Sequence, residues 1–594
     1  MITNNYNERT MTNETATPAT MTKHDPGLSI AICGSGGSGA ITAGTILLDA
    51  IARTGYYGLM SRSLGPQIRG GESAAMIRFS NQPVGCQNDH YDLLIGLDWA
   101  NFSRFSEEIP LNSKSSILSG SSSESLPPGL NAKAKTLPLT INEIIQGIKG
   151  GRPNMAALGI AGHLCKLPTK TLEDSIRAIL GSKGDEVVDV AIQCLHQGYK
   201  AAEQLTPIDH PAANPDKKGH LWNISGNEAG GLGALRGGIR FVAAYPITPA
   251  SDMLEWLAPR LEKLNGTLLQ AEDELASVNM AIGSSYGGVP SMTATSGPGL
   301  CLMTEGIGLA ITAEIPLVIA NVSRGGPSTG IPTKSEQSDL NLALYGVHGD
   351  APHLVMAPLS IADCATTTEW ATSLAEQLQT VTIVLSDQFL GQARAITDPQ
   401  SPKGDSIKRK TATSPHEPYL RYQLTTDGIS SMAQPGSSDC RYTAEGLEHN
   451  EQGLPSSMAK DHLAMLDKRR RKLEQFDFGD DWMESDGEGH TCIMTWGSST
   501  AVAYEAAARL RRQGIAVRVV ALRLLAPLQT EQLQKMLESM TRVVVVEQNH
   551  QGQLFHYLNA HKVLPAHAES LCKPGPIPFT PGEITAQLSQ EASV

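Results

Sequence analysis

Residues 243–330 carry most of the side chains that could do chemistry in this chain of 594 residues. Three short apolar runs in this stretch end in Pro, Gly, Ser or Thr, within the segments AAYPITPASD, TATSGPG and NVSRGGPSTG. Residues of these types let backbone and hydroxyl groups approach a ligand closely. An acidic turn, Glu272 to Glu274, lies between the first two junctions. The stretch therefore predicts an α/β active site.

Strand and helix patterns alternate through the chain around these residues. Residues 241–245 predict a strand that stops at Pro246, and the acidic turn leads into a helix with Leu275, Val278 and Ile282 on one face. The apolar runs IPLVIANV, HLVMAPL and TVTIVLSD follow as further strands. Such alternation predicts parallel sheets that are covered by helices on both faces.

The chain is too long for one core, and its patterns divide it into segments. We predict a disordered tail at residues 1–26, a first domain at 27–205, a linker at 206–221, a second domain at 222–395, a connector at 396–489 and a third domain at 490–594. The linker and the connector are rich in turn-forming residues, and the connector has one predicted helix at residues 458–476. The fold class is multidomain α/β.

A glycine-rich loop, GSGGSG, follows the first predicted strand and precedes a helix. Its glycines are Gly34, Gly36, Gly37 and Gly39. The loop could receive a phosphate at the helix N-terminus, and it equally fits a tight strand-to-helix turn. A dinucleotide site would also need an acid after the second strand, where this chain has Arg62. A second glycine-rich loop, SLGPQIRGGES with Arg69, is predicted beside the first.

Composition argues against several classes of function. Sixty acidic and 47 basic residues give a net charge of −13, which disfavours general binding of nucleic acid. The basic run at residues 467–472 is interpreted as a solvated helix face. No apolar run reaches the ~20 residues that span a membrane, and the first 26 residues lack a signal-peptide core, so we predict a cytoplasmic protein. No CxxC occurs, which predicts no zinc or iron–sulfur site in this chain.

Several motifs together carry a family resemblance. GNEAGGLGA, AYPITPASD, AEDELAS, TSGPG, TDGISSMAQPG and VVVVEQNHQGQL resemble the α subunit of 2-oxoacid:ferredoxin oxidoreductases. GSGGSG and SLGPQIRGGES resemble the γ domain of that family, fused ahead of the α subunit as in its 2-oxoglutarate-type members. The resemblance implies a γ domain, a pyrimidine-binding domain for thiamine diphosphate and a transketolase C-terminal-like domain, in that order.

The resemblance also implies a catalytic carboxylate. In this chemistry a carboxylate hydrogen-bonds the aminopyrimidine of thiamine diphosphate and favours the tautomer that removes the thiazolium proton. Glu274, nine residues before Gly283, matches the family's spacing and is the first candidate, with Glu272 as the second. Without the resemblance, acids in the first turn of a helix are partners of the helix dipole.

Substrate and cofactor contacts are implied in the same way. Thr248 and Arg324 match the positions that hold the 2-oxoacid carboxylate, for which a hydroxyl and a bidentate guanidinium are suited. Taken alone, Thr248 fits a local Ser/Thr turn and Arg324 a surface ion pair. The implied cofactor-pocket residues are Tyr245, Pro246, Ser296, Gly297 and Gly299, for which a plain turn is the alternative.

Missing motifs imply a partner. Thiamine enzymes bind Mg²⁺ and the diphosphate through a GDG motif, which this chain lacks. The resemblance therefore implies a β subunit that supplies Mg²⁺, the diphosphate site and an iron–sulfur cluster, in an α2β2 assembly. The implied reaction oxidises a 2-oxoacid, foremost 2-oxoglutarate, to the acyl-CoA with CoA as co-substrate and ferredoxin as acceptor. The alternatives are a non-redox thiamine enzyme of transketolase type and a dinucleotide-binding regulatory protein.

Overall fold

The computed structural model describes residues 27–65, 71–121, 125–130, 134–404, 408–412 and 418–590. These residues form three β-sheets of eight, seven and five strands with helices packed on them, which confirms the predicted α/β class. The predicted tail and Arg69 lie outside the described residues. Among the helices of these ranges, none is both long enough and apolar enough to cross a membrane.

The N-terminal part alternates strands and helices and ends in a helical bundle. Its elements are β1 (Leu28–Ser35), α1 (Ala40–Thr54), β2 (Tyr57–Leu64), β3 (Glu72–Ser80), β4 (Leu93–Gly96), β5 (Ser116–Ser119), β6 (Lys135–Thr140), α2 (Ile141–Ile144), α3 (Pro153–Leu164), α4 (Thr169–Leu180) and α5 (Asp185–Ala202). Short 3-10 helices include Phe102–Arg104 and Ser106–Glu108.

The central part alternates strand and helix throughout. Its elements are β7 (Trp222–Ser225), α6 (Gly226–Gly237), β8 (Phe241–Ala244), α7 (Ser251–Lys263), β9 (Thr267–Gln270), α8 (Glu274–Tyr286), β10 (Ser291–Thr295), α9 (Gly297–Thr312), β11 (Leu317–Ser323), α10 (Leu340–Tyr345), β12 (Leu354–Met356), α11 (Asp363–Leu378), β13 (Val381–Asp387), α12 (Gln388–Gln392) and β14 (Arg394–Thr397). The helix that follows the acidic turn begins at Glu274, as the sequence predicts.

The C-terminal part begins with the helix of the connector. Its elements are α13 (Ala459–Glu474), β15 (Met483–Asp486), β16 (Thr491–Trp496), α14 (Ser499–Arg512), β17 (Val517–Leu522), β18 (Leu524–Ala526), α15 (Thr530–Leu537), β19 (Arg542–Glu547), α16 (Gln553–Ala560), β20 (Glu569–Cys572) and α17 (Pro581–Gln590). The predicted connector helix is confirmed as α13.

The three sheets differ in how parallel they are. The first has the order β6-β5-β4-β1-β3-β2-β14-β7 and is mixed, because β1, β3, β2, β14 and β7 pair antiparallel in turn. The second has the order β18-β12-β13-β11-β10-β8-β9 and is parallel except at β18. The third, β15-β17-β16-β19-β20, is parallel except at β15.

The second sheet brings the predicted site junctions to one edge. Strands β8, β10 and β11 are parallel neighbours, and β10 and β11 are buried along their whole length, as expected of strands covered on both faces. Their carboxyl ends therefore meet at the same edge of the sheet. The loops after these strands contain the YPITP, SGPG and SRGG segments.

The basic run of the connector is exposed only in part, so its interpretation as a solvated helix face was wrong for Lys468, Arg469 and Lys472. Lys468 and Lys472 of α13 are buried, and their ammonium groups lie 2.7 and 3.1 Å from the carboxylate of Glu314. Arg421 donates to the backbone carbonyl of Glu314 at 2.8 Å. Buried charges are tolerated when they are paired. The compensating carboxylate is 154 residues from Lys468 in sequence, where charge patterning cannot find it.

Candidate active site

The two candidate carboxylates of the acidic turn differ in burial. Glu272 is exposed, whereas Glu274, the first residue of α8, is buried with 5% of its surface accessible. Asp273 caps the helix, because its side chain accepts a hydrogen bond from the Ala276 amide at 2.7 Å. The helix N-terminus is thus satisfied by Asp273 and not by Glu274. Within the described residues the Glu274 carboxylate has no hydrogen bond or ion pair.

Gly299 faces Glu274 across the first turn of α9. A Cβ atom on Gly299 would lie 2.7 Å from Oε1 of Glu274 and would also collide with the hydroxyl of Thr295. Ser296 precedes α9, is fully buried, and its hydroxyl has no hydrogen-bond partner in the part of the chain that the structure describes. Among the described residues, the start of α9 therefore offers a hydroxyl without a partner and, at Gly299, a position without a side chain beside the Glu274 carboxylate.

Arg324 and Thr248 are brought together from two strand ends. Nη1 of Arg324 donates to the backbone carbonyl of Thr248 at 2.6 Å. Arg324 is 7% exposed, and its Nε atom is buried without an acceptor among the described residues. Burial lowers the pKa of Arg324, while the charge of Asp339 opposes that shift. A buried guanidinium with an unused donor is suited to bind an anionic ligand.

Asp339 and Asn321 belong to this site, although the sequence patterns did not single them out. The carboxylate of Asp339 accepts hydrogen bonds from Asn321 Nδ2 at 2.9 Å and from the Ser338 hydroxyl at 3.3 Å. Burial raises the pKa of Asp339, and these hydrogen bonds and the charge of Arg324 oppose the rise. A Cβ on Gly297 would lie 2.6 Å from Oδ1 of Asp339. The one sequence sign was Asn321, a polar residue inside the apolar run LVIANVS.

Tyr245 and Pro246, the other implied cofactor contacts, follow β8 and are exposed, Tyr245 by 40% of its surface. Exposed apolar side chains also flank Glu274 and Gly299 along their helices, with Leu275 48%, Met280 41% and Leu302 51% accessible. The predicted apolar face of α8 is therefore only partly buried: Val278 and Ile282 point into the core, and Leu275 does not. Apolar side chains therefore form part of the exposed surface around the carboxylate.

A cavity of about 900 Å³ adjoins the site and is shared by all three parts of the chain. Thr248 and Lys334 of the central part line it together with Arg62 and the loop glycines Gly36 and Gly37. Residues of the C-terminal part, Phe579 among them, complete the wall. The cavity therefore connects the neighbourhood of Thr248 with the N-terminal glycine loop.

The glycine loop itself is engaged by the protein. The amide and hydroxyl of Ser35 donate to the carboxylate of Asp98 at 2.8 and 2.7 Å, and the amide of Gly36 donates to the carbonyl of Gly71 at 2.6 Å. Gly37 has open space where a Cβ would lie. A carboxylate on the loop disfavours a bound phosphate, so these contacts favour the tight-turn interpretation. The remaining loop glycines, Gly34 and Gly39, do not line the cavity.

Three family models match consecutive parts of the chain. The model "pyruvate ferredoxin/flavodoxin oxidoreductase" matches residues 29–201. The model "pyruvate flavodoxin/ferredoxin oxidoreductase, thiamine diP-bdg" matches residues 232–468. The model "transketolase, C-terminal domain" matches residues 483–584. The three matches follow the N-terminal, central and C-terminal parts of the fold in order.

Similar proteins agree with these matches. The 2-oxoglutarate synthase subunit KorA of Methanothermobacter marburgensis is 34% identical over 61% of this chain and 97% of its own length. The 2-oxoacid:ferredoxin oxidoreductase subunit alpha of a Sulfolobus species is 29% identical over 89% of this chain and 91% of its own. A solved 2-oxoglutarate:ferredoxin oxidoreductase from Magnetococcus marinus, with 2-oxoglutarate, coenzyme A and succinyl-CoA bound, superposes with a TM-score of 0.89 at 34% identity, covering 96% of this chain and 100% of its own.

Proposed function

The chain belongs to the 2-oxoacid:ferredoxin oxidoreductase family as an α subunit with a fused γ domain, and we propose that it oxidatively decarboxylates 2-oxoglutarate to the acyl-CoA with ferredoxin as acceptor. One observation carries the choice of substrate: the structural match over 96% of the chain is to an enzyme that holds 2-oxoglutarate, coenzyme A and succinyl-CoA. The proposed assembly is α2β2, with a β subunit that supplies Mg²⁺, the diphosphate site and an iron–sulfur cluster.

The residues at the N-terminal ends of α8 and α9 fit thiamine diphosphate. Glu274 offers a buried carboxylate that lacks a partner among the described residues, which is what hydrogen bonding to an aminopyrimidine requires. Gly299 leaves the space beside that carboxylate free of a Cβ, and Ser296 offers a hydroxyl that has no partner in the described part of the chain. Bound thiamine diphosphate would supply the nucleophilic carbon and electron sink of the reaction. In our proposal Glu274 holds the pyrimidine end and controls its protonation.

Arg324 and Thr248 are proposed to hold the 2-oxoacid. The burial of Arg324 and its Nε donor, which has no acceptor among the described residues, support binding of the substrate carboxylate, and the contact of Nη1 with the backbone carbonyl of Thr248 places the guanidinium next to residue 248. Asp339 balances part of the positive charge before substrate arrives. We propose that CoA reaches the same place through the cavity of about 900 Å³, because Thr248 lines it.

The exposed apolar surface around Glu274 supports the proposed β subunit. Leu275 and Leu302 leave about half of their surface in water within the first two turns of the two helices that carry the site. Exposed apolar patches of this kind mark protein–protein contacts. A partner that covers them would also exclude water from the Glu274 carboxylate, which strengthens its hydrogen bonds.

The test is to co-express the chain with a β subunit and to measure reduction of ferredoxin or a viologen dye. We expect turnover that requires thiamine diphosphate and CoA and that is fastest with 2-oxoglutarate among 2-oxoacids of different chain length. Turnover that needs no electron acceptor would instead identify a transketolase-type enzyme. Binding of NAD(P) by the chain alone, with no activity in the complex, would identify a dinucleotide-binding regulator.

A further inference from the structure

The loop that carries Arg324 touches each of the three parts of the chain. It spans residues 324–338, and we call it the clamp loop. Its base is closed, because the Ser338 hydroxyl donates to the carbonyl of Arg324 at 2.8 Å and the amide of Gly325 donates to the carbonyl of Lys334 at 3.0 Å. Gly325 and Ile331 form an antiparallel bridge inside it. A single backbone hydrogen bond therefore links Lys334 to Gly325, the residue that directly follows Arg324.

Lys334 extends from the clamp loop into the N-terminal part. Its ammonium group donates to the Ser63 hydroxyl at 2.8 Å and forms an ion pair with Glu108. The two charged side chains are 15% and 13% exposed, and Ser63 also donates to Glu108 at 3.2 Å. An ion pair this shielded has a defined geometry, unlike a flexible surface pair. It joins the γ domain to the loop at a wall of the large cavity.

Gln337 holds the other end of the clamp loop against the C-terminal part. Its side chain donates to the Trp496 carbonyl at 2.8 Å and accepts from the Ser499 hydroxyl at 2.9 Å and from the Gln548 amide at 2.7 Å. Gln337 is 1% exposed, so this end is fixed from inside the molecule. The C-terminal half of the loop is thus held by Gln337 and, three residues earlier, by Lys334, and the Ser335 hydroxyl between them donates to the carboxylate of Asp387 at 3.1 Å.

Arg324 depends on this loop for its position. Within the described residues its guanidinium has one hydrogen bond, to the carbonyl of Thr248, and no carboxylate holds it directly. An arginine that is held by so few side-chain contacts takes its place from its backbone. Small displacements of a binding group weaken ligand binding, because productive geometry has a tolerance well under 1 Å, roughly 0.5 Å.

We propose that Lys334, through its ion pair with Glu108, is a positioning residue for the 2-oxoacid clamp. The γ domain thereby contributes to 2-oxoacid binding without touching the 2-oxoacid. The inference rests on the proposed function, because it takes Arg324 as the group that binds the substrate carboxylate. Lys334 acts through the backbone of the clamp loop. The charge of its ammonium group is balanced by the carboxylate of Glu108.

The test compares neutral variants of both partners in the complex with the β subunit. We expect Lys334→Met and Glu108→Gln each to raise the KM for the 2-oxoacid by about tenfold, with kcat and the KM for CoA changed less than about twofold. The double variant should be no worse than either single variant, since both remove the same contact. Lys334→Arg, which keeps the charge, should recover most of the affinity.

Direct ligand binding by Lys334 predicts a different pattern. Glu108→Gln would then release the ammonium group and lower the KM that Lys334→Met raises, so opposite signs for the two single variants would overturn the proposal. A change confined to the KM for CoA would overturn it as well. Unchanged kinetics in both single variants would show that the ion pair is only structural.

Two further variants make the outcome interpretable. Lys166→Met removes an exposed pair with Asp209, at 3.2 Å, and should leave both KM values unchanged. Arg324→Ala tests the clamp itself: an unchanged KM for the 2-oxoacid in that variant would refute the proposed role of Arg324, whatever Lys334 does. If Arg324→Ala raises the KM and the Lys334 and Glu108 variants do not, only the positioning role fails. Should Lys334→Met not assemble, the near-isosteric Glu108→Gln supplies the result.

Discussion

Glu274 and Glu272 lie two residues apart and have opposite environments. Glu272 lies in the bend before the helix, whereas Glu274 is the first helical residue, so one carboxylate remains in water and the other enters the molecule. Because Asp273 already caps α8, burial of Glu274 serves no capping purpose. A buried carboxylate without a partner destabilises the protein when no ligand is bound. A ligand that donates a hydrogen bond to this carboxylate recovers that free energy.

Replacing Glu274 by Gln should lower turnover of the assembled enzyme by about 10²- to 10⁴-fold, the range expected for loss of a group that controls proton transfer. Assembly should persist, since the amide has the same shape and avoids a buried charge. The measurement is kcat with a dye acceptor at saturating substrate, with complex content determined by gel filtration. Glu255→Gln, on the exposed face of α7, is the control.

The comparison with Glu272→Gln decides between the two candidates. Because Glu272 is exposed, the Glu272→Gln variant should keep near-normal turnover. Normal turnover in Glu274→Gln combined with a large loss in Glu272→Gln would transfer the role to Glu272, and would mean that the partner rearranges the acidic turn.

A substitution at Gly299 tests the packing around the Glu274 carboxylate. A Cβ there meets Glu274 and Thr295, so Gly299→Ala should destabilise the chain by about 1–3 kcal/mol and displace the carboxylate. We expect turnover to be lost at ordinary concentrations of thiamine diphosphate, with the far-ultraviolet circular dichroism spectrum retained. Gly308→Ala, on the same helix, is the matched control, because its nearest neighbour is Val347 Cγ1 at 3.6 Å. Equal activity of the two variants would contradict the proposed site.

At the scale of elements, the sequence predicts what depends on local pattern. The start of α8, the connector helix and the strands that end at the site follow from periodicity and from turn residues. The outward position of Leu275 and the burial of Lys468 were both mispredicted. Each depends on a distant surface: Lys468 meets Glu314, and Leu275 lies on the side where the proposed partner would bind. The contacts of Lys334 and Gln337 were missed for the same reason, since loop residues give no sign of contacts between domains.

The α13 helix is held to the central part by its buried charges. Replacing Glu314 by Gln leaves Lys468 and Lys472 without their carboxylate, and burial already lowers the pKa of Lys472 to about 8. Removing one partner of a buried ion pair costs about 3–5 kcal/mol, so we expect a loss of that size in the free energy of unfolding. Urea unfolding of the chain, followed by far-ultraviolet circular dichroism, measures it.

An exposed pair on the same helix provides the comparison. Asp467 and Arg470 lie 3.1 Å apart with both side chains largely in water, so Asp467→Asn should cost less than about 1 kcal/mol. Similar losses of unfolding free energy in both variants would show that the buried cluster stabilises the chain no more than a surface pair does. The connector would then be held to the central part by its apolar contacts.

At the scale of the molecule, the three parts share their sheets. Strands β7 and β14 bracket the central part and pair with the first sheet, with Arg394 opposite Met60, and β18 joins the second sheet from the C-terminal part. A division of the sequence into consecutive segments cannot show such pairing, because it joins residues that lie hundreds of positions apart. The parts are therefore coupled through backbone hydrogen bonds as well as through side chains, which suits a cavity that all three of them line.

Arg78 and Glu505 join the N-terminal and C-terminal parts by a buried ion pair. Two guanidinium nitrogens of Arg78 donate to the carboxylate at 2.7 and 3.0 Å, and Arg78 is 2% exposed. Burial raises the pKa of Glu505, but the charge and hydrogen bonds of Arg78 and Arg509 outweigh it and lower that pKa to about 2. The folded value lies below the ordinary value of 4.5, so the pair stabilises the folded state fully above that pH and loses its contribution as the pH falls toward 2.

Glu505→Gln should therefore destabilise the chain by about 3 kcal/mol near neutral pH, and its difference from the wild type should shrink steadily once the pH falls below about 4.5. Urea unfolding of both proteins at a series of pH values gives the difference directly. Glu474→Gln removes an exposed carboxylate that lies 3.8 Å from Arg470 and should change stability little at any pH. If the difference in unfolding free energy between Glu505→Gln and the wild type stayed constant across the acidic range, the variant would act through altered packing between the domains.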